Sequence, residues 1–555
     1  MNSPFATHEV LNQSPPFENV NLFTTDRALV EAVSREGGGF AAKRLAAFGE
    51  VCGNAAAFER GRLANENPPR LKPFDSKGRR LDVVEFHPAY HECMAISVAE
   101  GLHCSSWDHL AEPGAKPAQG ANVARSARCY IAVQMEAGHQ CPITMTNASV
   151  PTLLLQPGIA AEWLPKILAR EYDKSFKPVG DKRGATIGMG MTEKQGGTDV
   201  RANTTRAVPV GGGGPGAEYI VTGHKWFMSA PMCDAFLVLA QAPGGLSCLL
   251  LPRFLPDGSV NALRIQRLKD KLGNRSNASS EVEFQAAHAW LIGEEGRGVP
   301  SIIEMVTRTR LDCAVASAGL MRLILANAIH HCRHRTVFQK KLVDQPLMSQ
   351  VLADLALDAE AATALAFRLC RTFDRASDPH AAAWRRLMTP VTKYWVCKLA
   401  PAFAYEAMEC LGGNGYVEEG VAARVYRELP LNAIWEGSGN VMALDLLRVL
   451  QREPETAEIV MEDLSAAVGG DPHLKAQHAR VQRLLHEPRL LDQRGRALTE
   501  ALATLAAGTI LRAHAPAFVA DAFIATRLSG SPRQTYGQGC DGVDTRAIVE
   551  RAFPG

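Results

Sequence analysis

The feature that most constrains this fold is a block of short, β-rich segments between two long helical stretches. The segments are rich in β-branched and aromatic residues, and glycine, proline or asparagine turns separate them: "EYIVTGHKWFMS", "DAFLVLAQA", "LSCLLLPRF" and "SSEVEF". Strands at this spacing predict a compact antiparallel β domain, in which "GGGGPG" at Gly211–Gly216 is a flexible hairpin connection. Because both flanks carry apolar residues at helical spacing, the pattern predicts an α+β fold in the order helical, β, helical.

The length of 555 residues exceeds what one hydrophobic core usually organises, so several domains are expected. We predict a helical N-terminal domain over 1–185, the β domain over 186–298, a helical bundle over 299–448 and a C-terminal helical domain over 449–555. The first domain is interpreted as mostly helix from residue 20, with polar breaks at "NENPPRLKPFDSKGRR" and "AEPGAKPAQG". The polar, proline-containing "LQREPETAE" marks the last boundary.

Charge and cysteine usage limit the possible partners. A net charge of +2 excludes a strongly basic nucleic-acid binder overall, although it leaves a local basic patch open. The 13 cysteines show no CxxC pairing, which favours reduced thiols over a disulfide framework or a zinc site. "HHCRH" at His330–His334 has consecutive potential ligands that do not share one helix face, so we predict no metal site.

The sequence predicts a cytoplasmic location. The N-terminal "MNSPFATHEVLNQSPPFENV" lacks a basic start followed by an apolar run, so it does not resemble a signal peptide. The apolar segment Ala501–Leu511 is about half the length that spans a membrane, and a buried helix explains it better. We therefore expect a cytoplasmic protein without a membrane partner.

A glycine-rich stretch, "IGMGMTEKQGGTDV" at Ile187–Val200, precedes the strands. Glycines let backbone N–H groups approach a ligand closely, and the hydroxyls of Thr192 and Thr198 can donate or accept hydrogen bonds. Taken alone, the stretch is more typical of a tight surface loop than of a ligand site.

Further stretches resemble those of one family of flavoproteins. "MGMTEKQGGTDV", "GHKWF", "HRTVFQKKLVDQ" and "ECLGGNGYVEE" through to "IWEGSGN" occur in the order found in the acyl-CoA dehydrogenase family. "LKDKLGNRSNAS", "CPITMT" and "GRLANENPP" resemble its AidB-type subgroup, the DNA alkylation response proteins. The resemblance covers nearly the whole chain and implies an acyl-CoA dehydrogenase-like fold with an added C-terminal helical domain.

The resemblance implies FAD as a non-covalently bound cofactor. It places one set of residues around the flavin: Met189, Gly190, Met191, Thr192, Gly197, Thr198, Phe227, Met228, Ser229, Ile434, Trp435, Gly437, Ser438, Gly439 and Asn440. A second set lies on stretches that the family uses across a subunit boundary: Arg335, Phe338, Gln345 and Gly413. A guanidinium such as that of Arg335 suits a pyrophosphate because it offers a planar fork of donors. This arrangement implies a homotetramer, built as a dimer of dimers.

The resemblance also assigns the chemistry. Glu436 aligns with the base that removes a proton from the α carbon of an acyl thioester, although an acid kept for structure beside a tryptophan remains an alternative. Thr192, Ser229 and Arg310 match residues that face the acyl-CoA substrate.

Three positions depart from the family pattern. Lys194 replaces a proline, Gln339 replaces a glycine, and Glu409 stands where a glutamine is common. An added negative charge near a phosphate-bearing cofactor is unfavourable, so we expect Glu409 to point away or to pair with a cation.

Arginines of the C-terminal domain form a candidate contact surface for double-stranded DNA: Arg480, Arg483, Arg489, Arg494 and Arg496. A solvated helix face is the alternative, because the segment as a whole is not basic. The functional alternatives are therefore an AidB-type flavoprotein with weak dehydrogenation of short or branched acyl-CoA and DNA binding, direct flavin-dependent destruction of an alkylating agent, or an ordinary acyl-CoA dehydrogenase of fatty-acid or amino-acid catabolism that does not bind DNA.

Overall fold

The structure is a computed structural model that describes residues 5–112, 114–486, 488–530, 535–540 and 542–554, without the side chains of residues 488–490. Its N-terminal part is mainly helical. The helices here are α1 (Arg27–Arg35), α2 (Ala42–Gly53), α3 (Ala55–Glu66), α4 (Pro88–Ala99), α5 (Ala121–Met135), α6 (Gln140–Leu153) and α7 (Pro157–Leu168). Local signals fix their starts: Asp26 accepts a hydrogen bond from the N–H of Leu29, and Pro88 occupies the first turn of α4.

A two-stranded hairpin interrupts these helices where the sequence predicts only a polar break. Its strands β1 (Arg70–Phe74) and β2 (Arg80–Glu85) pair antiparallel. Asp75 accepts hydrogen bonds from the N–H groups of Lys77 and Arg79, which closes the turn.

The central sheet positions the site. Its strands are β3 (Ile187–Gly190), β4 (Arg206–Pro209), β5 (Glu218–Ser229), β6 (Ala235–Ala242), β7 (Gly245–Pro252), β8 (Leu263–Leu268) and β9 (Ser279–Ile292). They follow the order β3-β6-β4-β5-β9-β7 with β8 on β9, and β7 also pairs with β6, so the sheet curls back on itself. Gly211–Gly216 connects the antiparallel pair β4 and β5, which confirms the predicted hairpin connection. The sheet is antiparallel as predicted, except that β6 runs parallel to β3 and β4.

A long-helix bundle packs beside the sheet. It contains α8 (Gly298–His334), a small hairpin of β10 (Thr336–Val337) and β11 (Lys340–Lys341), then α9 (Pro346–Phe373), α10 (Pro379–Glu409), α11 (Gly413–Tyr416), α12 (Val421–Asn432) and α13 (Gly439–Arg452). Helix α8 is long and apolar enough to cross a membrane, but its most apolar window is 83% buried inside the fold. That burial is what the central helix of a bundle shows.

The C-terminal part adds α14 (Pro454–Val468), α15 (Pro472–Leu485), α16 (Pro488–His514), α17 (Ala517–Arg527) and α18 (Thr545–Ala552). The segment Ala501–Leu511 lies within α16 and is almost wholly buried, as predicted for a core helix. Apolar residues of these helices join the same hydrophobic cluster as α8, α9 and α10. The C-terminal helices are therefore packed onto the bundle as an extension of its core.

Candidate active site

Glu436 lies in the short loop between α12 and α13, in a backbone conformation that side chains rarely adopt. Its φ is 58°, and Gly437 follows with a φ of 103°. Arg310 on α8 donates from Nε to the carbonyl oxygen of Glu436 at 2.9 Å, and its NH1 pairs with Asp445 at 2.7 Å. Thr309 donates from Oγ1 to the Glu436 carboxylate at 2.7 Å. Because a left-handed non-glycine residue is strained, these contacts are needed to hold the loop and its carboxylate in place.

Lys393 of α10 holds the same loop through its backbone. Its buried ammonium group donates to the carbonyl oxygens of Trp435 at 2.7 Å and Gly437 at 2.5 Å, the two residues that flank Glu436. The indole of Trp435 in turn donates to Asn432 at 2.8 Å. The sequence analysis did not identify Lys393, because only the tertiary fold brings this lysine next to the Glu436 loop.

The electrostatics of Glu436 suit a base. Burial raises the pKa of its carboxyl above the ordinary value, while the hydrogen bond from Thr309 and the charges of Arg310 and Lys393 oppose that rise. The residue nevertheless keeps part of its surface accessible to solvent. A carboxylate that is both basic and reachable can accept a proton from a bound molecule.

Strand β5 presents the opposite wall. Phe227 is 52% exposed although its neighbour Met228 is fully buried, and Ser229 lies 3.2 Å from the hydroxyl of Ser279. Cys141 lies near both this wall and the base, since Ser229 lowers the pKa of its thiol and the charge of Glu436 raises it. Burial is the main cause that raises the pKa of Cys141 to about 12. An exposed aromatic face with a hydroxyl beside it fits a flavin ring.

The glycine-rich stretch begins in β3 with Met189 and Gly190 and continues as a turn. A Cβ on Gly197 would overlap Oγ1 of Thr192, so the turn requires glycine there. Thr198 lies exposed on the same turn, and Met191 packs partly buried against the apolar core of the sheet.

The acid in this stretch, Glu193, has a structural role that its sequence context does not reveal. Its carboxylate accepts hydrogen bonds from the N–H of Thr204 at 2.7 Å and the ammonium of Lys225 at 2.8 Å, and both members of the ion pair are completely buried. Burial alone would raise the pKa of Glu193, but the contacts with Lys225 and Thr205 outweigh it and hold the pKa below its usual range. The pair anchors the turn to β5, directly beside Phe227.

Helix α13 begins at the same loop. Ser438 is the residue before its first turn and makes no side-chain cap hydrogen bond, while Ser438, Asn440 and Ile434 are exposed. The first N–H groups of a helix lack intrahelical partners, so Gly439 and Asn440 offer free donors to an anionic group.

The second set of predicted cofactor residues lies on surfaces apart from Glu436. Phe338 forms the tip of the β10–β11 hairpin and is 90% exposed, and Gly413 is exposed at the start of α11. Arg335 donates to the carbonyl of Asn12 at 2.7 Å, and Gln345 donates to that of Val337 at 2.9 Å. Among the described residues, no hydrogen bond or ion pair joins this set to Glu436 or Thr192.

The three departures from the family pattern have local explanations. The N–H of Lys194 donates to His224 at 3.0 Å, and its ammonium lies 5.6 Å from the Trp226 ring. Gln339 has a φ of 66°, the left-handed region in which glycine is unstrained. Glu409 is exposed at the end of α10, and its charge raises the pKa of the Tyr405 hydroxyl; among the described residues it makes no ion pair with a cation.

A serine–histidine–glutamate array lies close to the site but is not a second catalytic centre. Ser97 lies 2.8 Å from His139 Nε2, and His139 Nδ1 lies 2.9 Å from Glu136. All three residues are at most 1% exposed, so no substrate reaches the serine. The array fixes the junction of α5 and α6 just before Cys141.

The "HHCRH" residues make ordinary contacts. His330 contacts the carbonyl of Pro15 at 2.9 Å, His331 contacts Ser14 at 3.1 Å, and His334 contacts the carbonyl of His330 at 2.8 Å. The described residues contain no cluster of three or more potential metal ligands.

The candidate DNA-contacting arginines lie on α15 and α16. Arg480 and Arg483 are exposed on α15, and the described residues provide no salt-bridge partner for either. Arg494 is exposed on α16, whereas Arg496 donates to the Tyr394 hydroxyl at 3.1 Å. The side chain of Arg489 lies outside the described residues.

Protein-family models match three consecutive parts of the chain. The adaptive response protein AidB N-terminal domain matches residues 12–174, the acyl-CoA dehydrogenase middle domain 188–287, and the acyl-CoA dehydrogenase C-terminal domain 296–451. The putative acyl-CoA dehydrogenase AidB of Escherichia coli is 48% identical over 518 residues, which is 93% of this chain and 94% of that protein. This chain belongs to the acyl-CoA dehydrogenase family and is of the AidB type.

Solved structures agree with this assignment. Caenorhabditis elegans ACDH-11 in complex with C11-CoA has a TM-score of 0.84 and 26% identity, with 99% of both chains covered. The apo form of Bd2924 has a TM-score of 0.82 and 26% identity, covering 91% of this chain and 99% of that one. The predicted fold class is confirmed.

Members of this family are FAD-dependent oxidoreductases, and the residues here fit that cofactor. Phe227 provides an exposed aromatic face for the flavin ring. The turn that requires glycine at position 197 allows a close backbone approach, and the N–H groups at the start of α13 provide an anion site. Arg335 is the candidate pyrophosphate ligand on the separate surface.

Proposed function

We propose that this protein dehydrogenates acyl-CoA thioesters at the α and β carbons, with Glu436 as the base. The observation that carries the proposal is the position of the Glu436 carboxylate. Burial raises its pKa, a single threonine holds it, and the contacts of Arg310 and Lys393 fix its backbone. FAD, when bound, supplies the two-electron acceptor for the reaction.

The residues around the base have separate tasks. Glu436 takes the proton from the α carbon of the thioester, and Thr309 keeps one carboxylate oxygen oriented by donating to it. Ser229 offers a hydroxyl on the facing wall, close to Cys141. Arg310 keeps the loop in its strained conformation and so acts as a positioning residue.

The substrate class is a short or branched acyl-CoA. Support for an acyl-CoA ligand comes from ACDH-11, whose structure contains C11-CoA. We propose the homotetramer as the assembly, because Phe338 and Tyr416 expose 90% and 80% of large apolar side chains close to predicted cofactor residues. A second subunit would cover them and would bring Arg335 to the pyrophosphate. The reduced state of all thirteen cysteines fits a cytoplasmic location.

We also propose that the C-terminal helices bind double-stranded DNA as part of the response to alkylation. The supporting observation is the exposed pair Arg480 and Arg483 on one face of α15, for which the described part of the chain offers no carboxylate partner. Contacts of this kind neutralise phosphates and carry little sequence preference.

One preparation tests both activities. The FAD-loaded protein is mixed anaerobically with butyryl-CoA, isovaleryl-CoA and C11-CoA, and the loss of flavin absorbance is followed. The same preparation is titrated with a labelled duplex at several salt concentrations. Bleaching by an acyl-CoA supports the dehydrogenase, and an intact flavin with every acyl-CoA contradicts it. A catabolic dehydrogenase without DNA function would bleach normally and fail to bind the duplex.

A further inference from the structure

A cavity of about 320 Å³ lies among helices, and none of its lining residues belongs to the flavin stretches. It opens where the C-terminal end of α9 and the start of α10 meet α14 and α16. Its apolar floor includes Trp384, Leu464 and Ile510. The cavity therefore joins the bundle to the C-terminal helices that are added to it.

Three arginines line this cavity at the end of α9. Arg368 and Arg371 lie one turn apart on the last turns of the helix, and Arg375 follows in the segment between α9 and α10. Arg368 and Arg371 approach the buried Glu36 at 3.1 Å and 3.4 Å. Arg35 pairs with the same carboxylate at 2.8 Å, so three guanidinium groups share one carboxylate.

This crowding leaves positive charge without a partner. Burial alone would raise the pKa of Glu36, but Arg368 and Arg35 outweigh it and hold the pKa below its usual range. Burial is the main cause that lowers the pKa of Arg368, and the like charges of Arg35 and Arg371 add to it. One buried NH2 group of Arg35 makes no hydrogen bond among the described residues. The arginines stabilise the Glu36 carboxylate, but their mutual repulsion and the unbonded NH2 group of Arg35 favour the approach of a further anion.

The other polar groups of the cavity already have partners. Asp378 accepts from the N–H groups of His380 and Ala381 at the start of α10 and lies 3.9 Å from Arg375. Asp463 accepts from the Trp384 indole at 3.0 Å and contacts His380 at 3.0 Å. Arg35, Arg368, Arg371 and Arg375 thus face the carboxylates of Glu36, Asp378 and Asp463, so the guanidinium groups exceed the carboxylates by one.

His514 completes the rim as a neutral side chain. Its Nε2 lies 3.2 Å from the NH2 group of Arg368, and since a guanidinium can only donate, the histidine nitrogen accepts. Burial is the first cause that lowers the pKa of His514, and the charges of Arg35 and Arg368 lower it further.

We propose that this cavity binds the phosphate group of a small molecule, held by Arg371 and Arg375. Forked guanidinium donors match phosphate oxygens, and the partly exposed Arg371 and Arg375 are the members of the cluster that a ligand can reach. The volume is at the lower end for ligand pockets, so it suits phosphate itself or a small phosphate monoester better than an extended chain.

Calorimetric titration of the full-length, FAD-loaded protein tests this proposal. Inorganic phosphate and AMP are added separately at constant ionic strength to the wild type, to Arg371→Gln and to Arg375→Gln. We expect saturable binding of one phosphate per chain and a loss of roughly tenfold in affinity for each guanidinium removed. Tighter binding of AMP than of phosphate would identify a monoester as the ligand, and equal or weaker binding would identify free phosphate.

Controls separate this site from the others. Arg79→Gln removes an exposed guanidinium of the β1–β2 turn and should leave phosphate binding unchanged. Flavin content and acyl-CoA bleaching should be normal in both cavity variants, and Arg375→Gln loses only a 3.9 Å contact, so it should fold normally. Absence of saturable phosphate binding, or equal affinity in the wild type and both variants, would overturn the proposal. Full displacement of phosphate by a DNA duplex would instead reassign these arginines to the DNA-binding surface.

Discussion

The ammonium group of Lys393 donates to the carbonyl oxygens on both sides of Glu436, at 2.7 Å to Trp435 and at 2.5 Å to Gly437. A buried lysine with backbone carbonyls as its hydrogen-bond partners is uncommon, because burying an ammonium group costs free energy that a carboxylate partner would offset. Here the ammonium group stabilises the loop that carries Glu436. It holds a residue at a φ of 58°, and its charge partly opposes the rise that burial causes in the pKa of the Glu436 carboxyl.

Replacing Lys393 by methionine should misplace the base and slow flavin reduction by acyl-CoA by about 10²-fold, as expected for a shift of about 1 Å in a reacting group. The decisive readout is the pH profile. Loss of the positive charge should move its lower limb to higher pH, because the pKa of Glu436 rises further. Lys43→Met, at an exposed position on α2, is the matched control. A slower reaction with an unshifted profile would mean that Lys393 has no electrostatic effect on the base.

Glu436→Gln should keep FAD bound and abolish acyl-CoA bleaching, since the amide retains the shape and loses the basic oxygen. The free energy of unfolding of this variant should also differ from that of the wild type in a way that depends on pH. The folded-state pKa of Glu436 is raised above 4.5, so ionising it costs stability as the pH rises through that pKa. The variant cannot ionise and should be at least as stable as the wild type at pH 8, with a difference that shrinks towards pH 4.5. Urea unfolding at both pH values measures this, and unchanged bleaching would identify a different base.

Lys225→Met should destabilise the protein by about 3–5 kcal/mol, because it leaves the buried Glu193 carboxylate without its cation. The double variant Glu193→Gln/Lys225→Met should lose less than the sum of the two single variants. Since the folded-state pKa of Glu193 is depressed, the stability it contributes is present above its ordinary pKa of 4.5 and is lost as the pH falls. Denaturant unfolding and FAD content test this, and additive losses would show that the two groups act independently.

Phe338→Asp should weaken the assembly and reduce FAD occupancy, because it places a charge on an apolar side chain that we propose a second subunit covers. Sedimentation velocity gives the assembly state, and the ratio of absorbance at 450 and 280 nm gives the FAD content. Phe40→Asp, another exposed phenylalanine at 66% exposure, is the control. If Phe338→Asp remains a fully loaded tetramer, the hairpin tip lies outside the interface.

Reversing charge at Arg480 and Arg483 should weaken duplex binding and reduce the slope of log affinity against log salt by about 1.8 for each subunit that contacts DNA. Fluorescence anisotropy of a labelled duplex measures both. Arg79→Glu provides a reversal on the distant β1–β2 turn. The pair belongs to a merely solvated face if the affinity and the salt slope are both unaltered.

The block of strands was predictable because β-branched runs between glycine and proline turns have few other interpretations. The β1–β2 hairpin was not predicted, although a signal existed. Asp75 and Gly78 form the turn, with Gly78 at a φ of 78°, and the residues on either side alternate in burial. A proline in β1 masked that alternation, since Pro73 argues against a strand interior.

The base was predicted from a family motif, but its supports were not. Lys393 is 43 positions from Glu436, and Lys225 is 32 positions from Glu193, so only the folded chain shows that they meet. In sequence, Lys393 interrupts an apolar helix face, which by itself does not identify a partner. Arg496 is a predicted DNA-contacting residue for which the fold shows a different contact, since it donates to the hydroxyl of Tyr394 in the bundle.

The thirteen cysteines have one further consequence. All of them are buried, and burial raises the pKa of many of these thiols, to about 12 for Cys104 and Cys129. The thiolate is the form that attacks electrophiles, so the folded chain keeps its thiols in their unreactive form and out of reach. Unfolding would expose thirteen such sites at once. Tight folding is therefore a chemical shield for these thiols, and a loss of stability would make the chain reactive as well as unfolded.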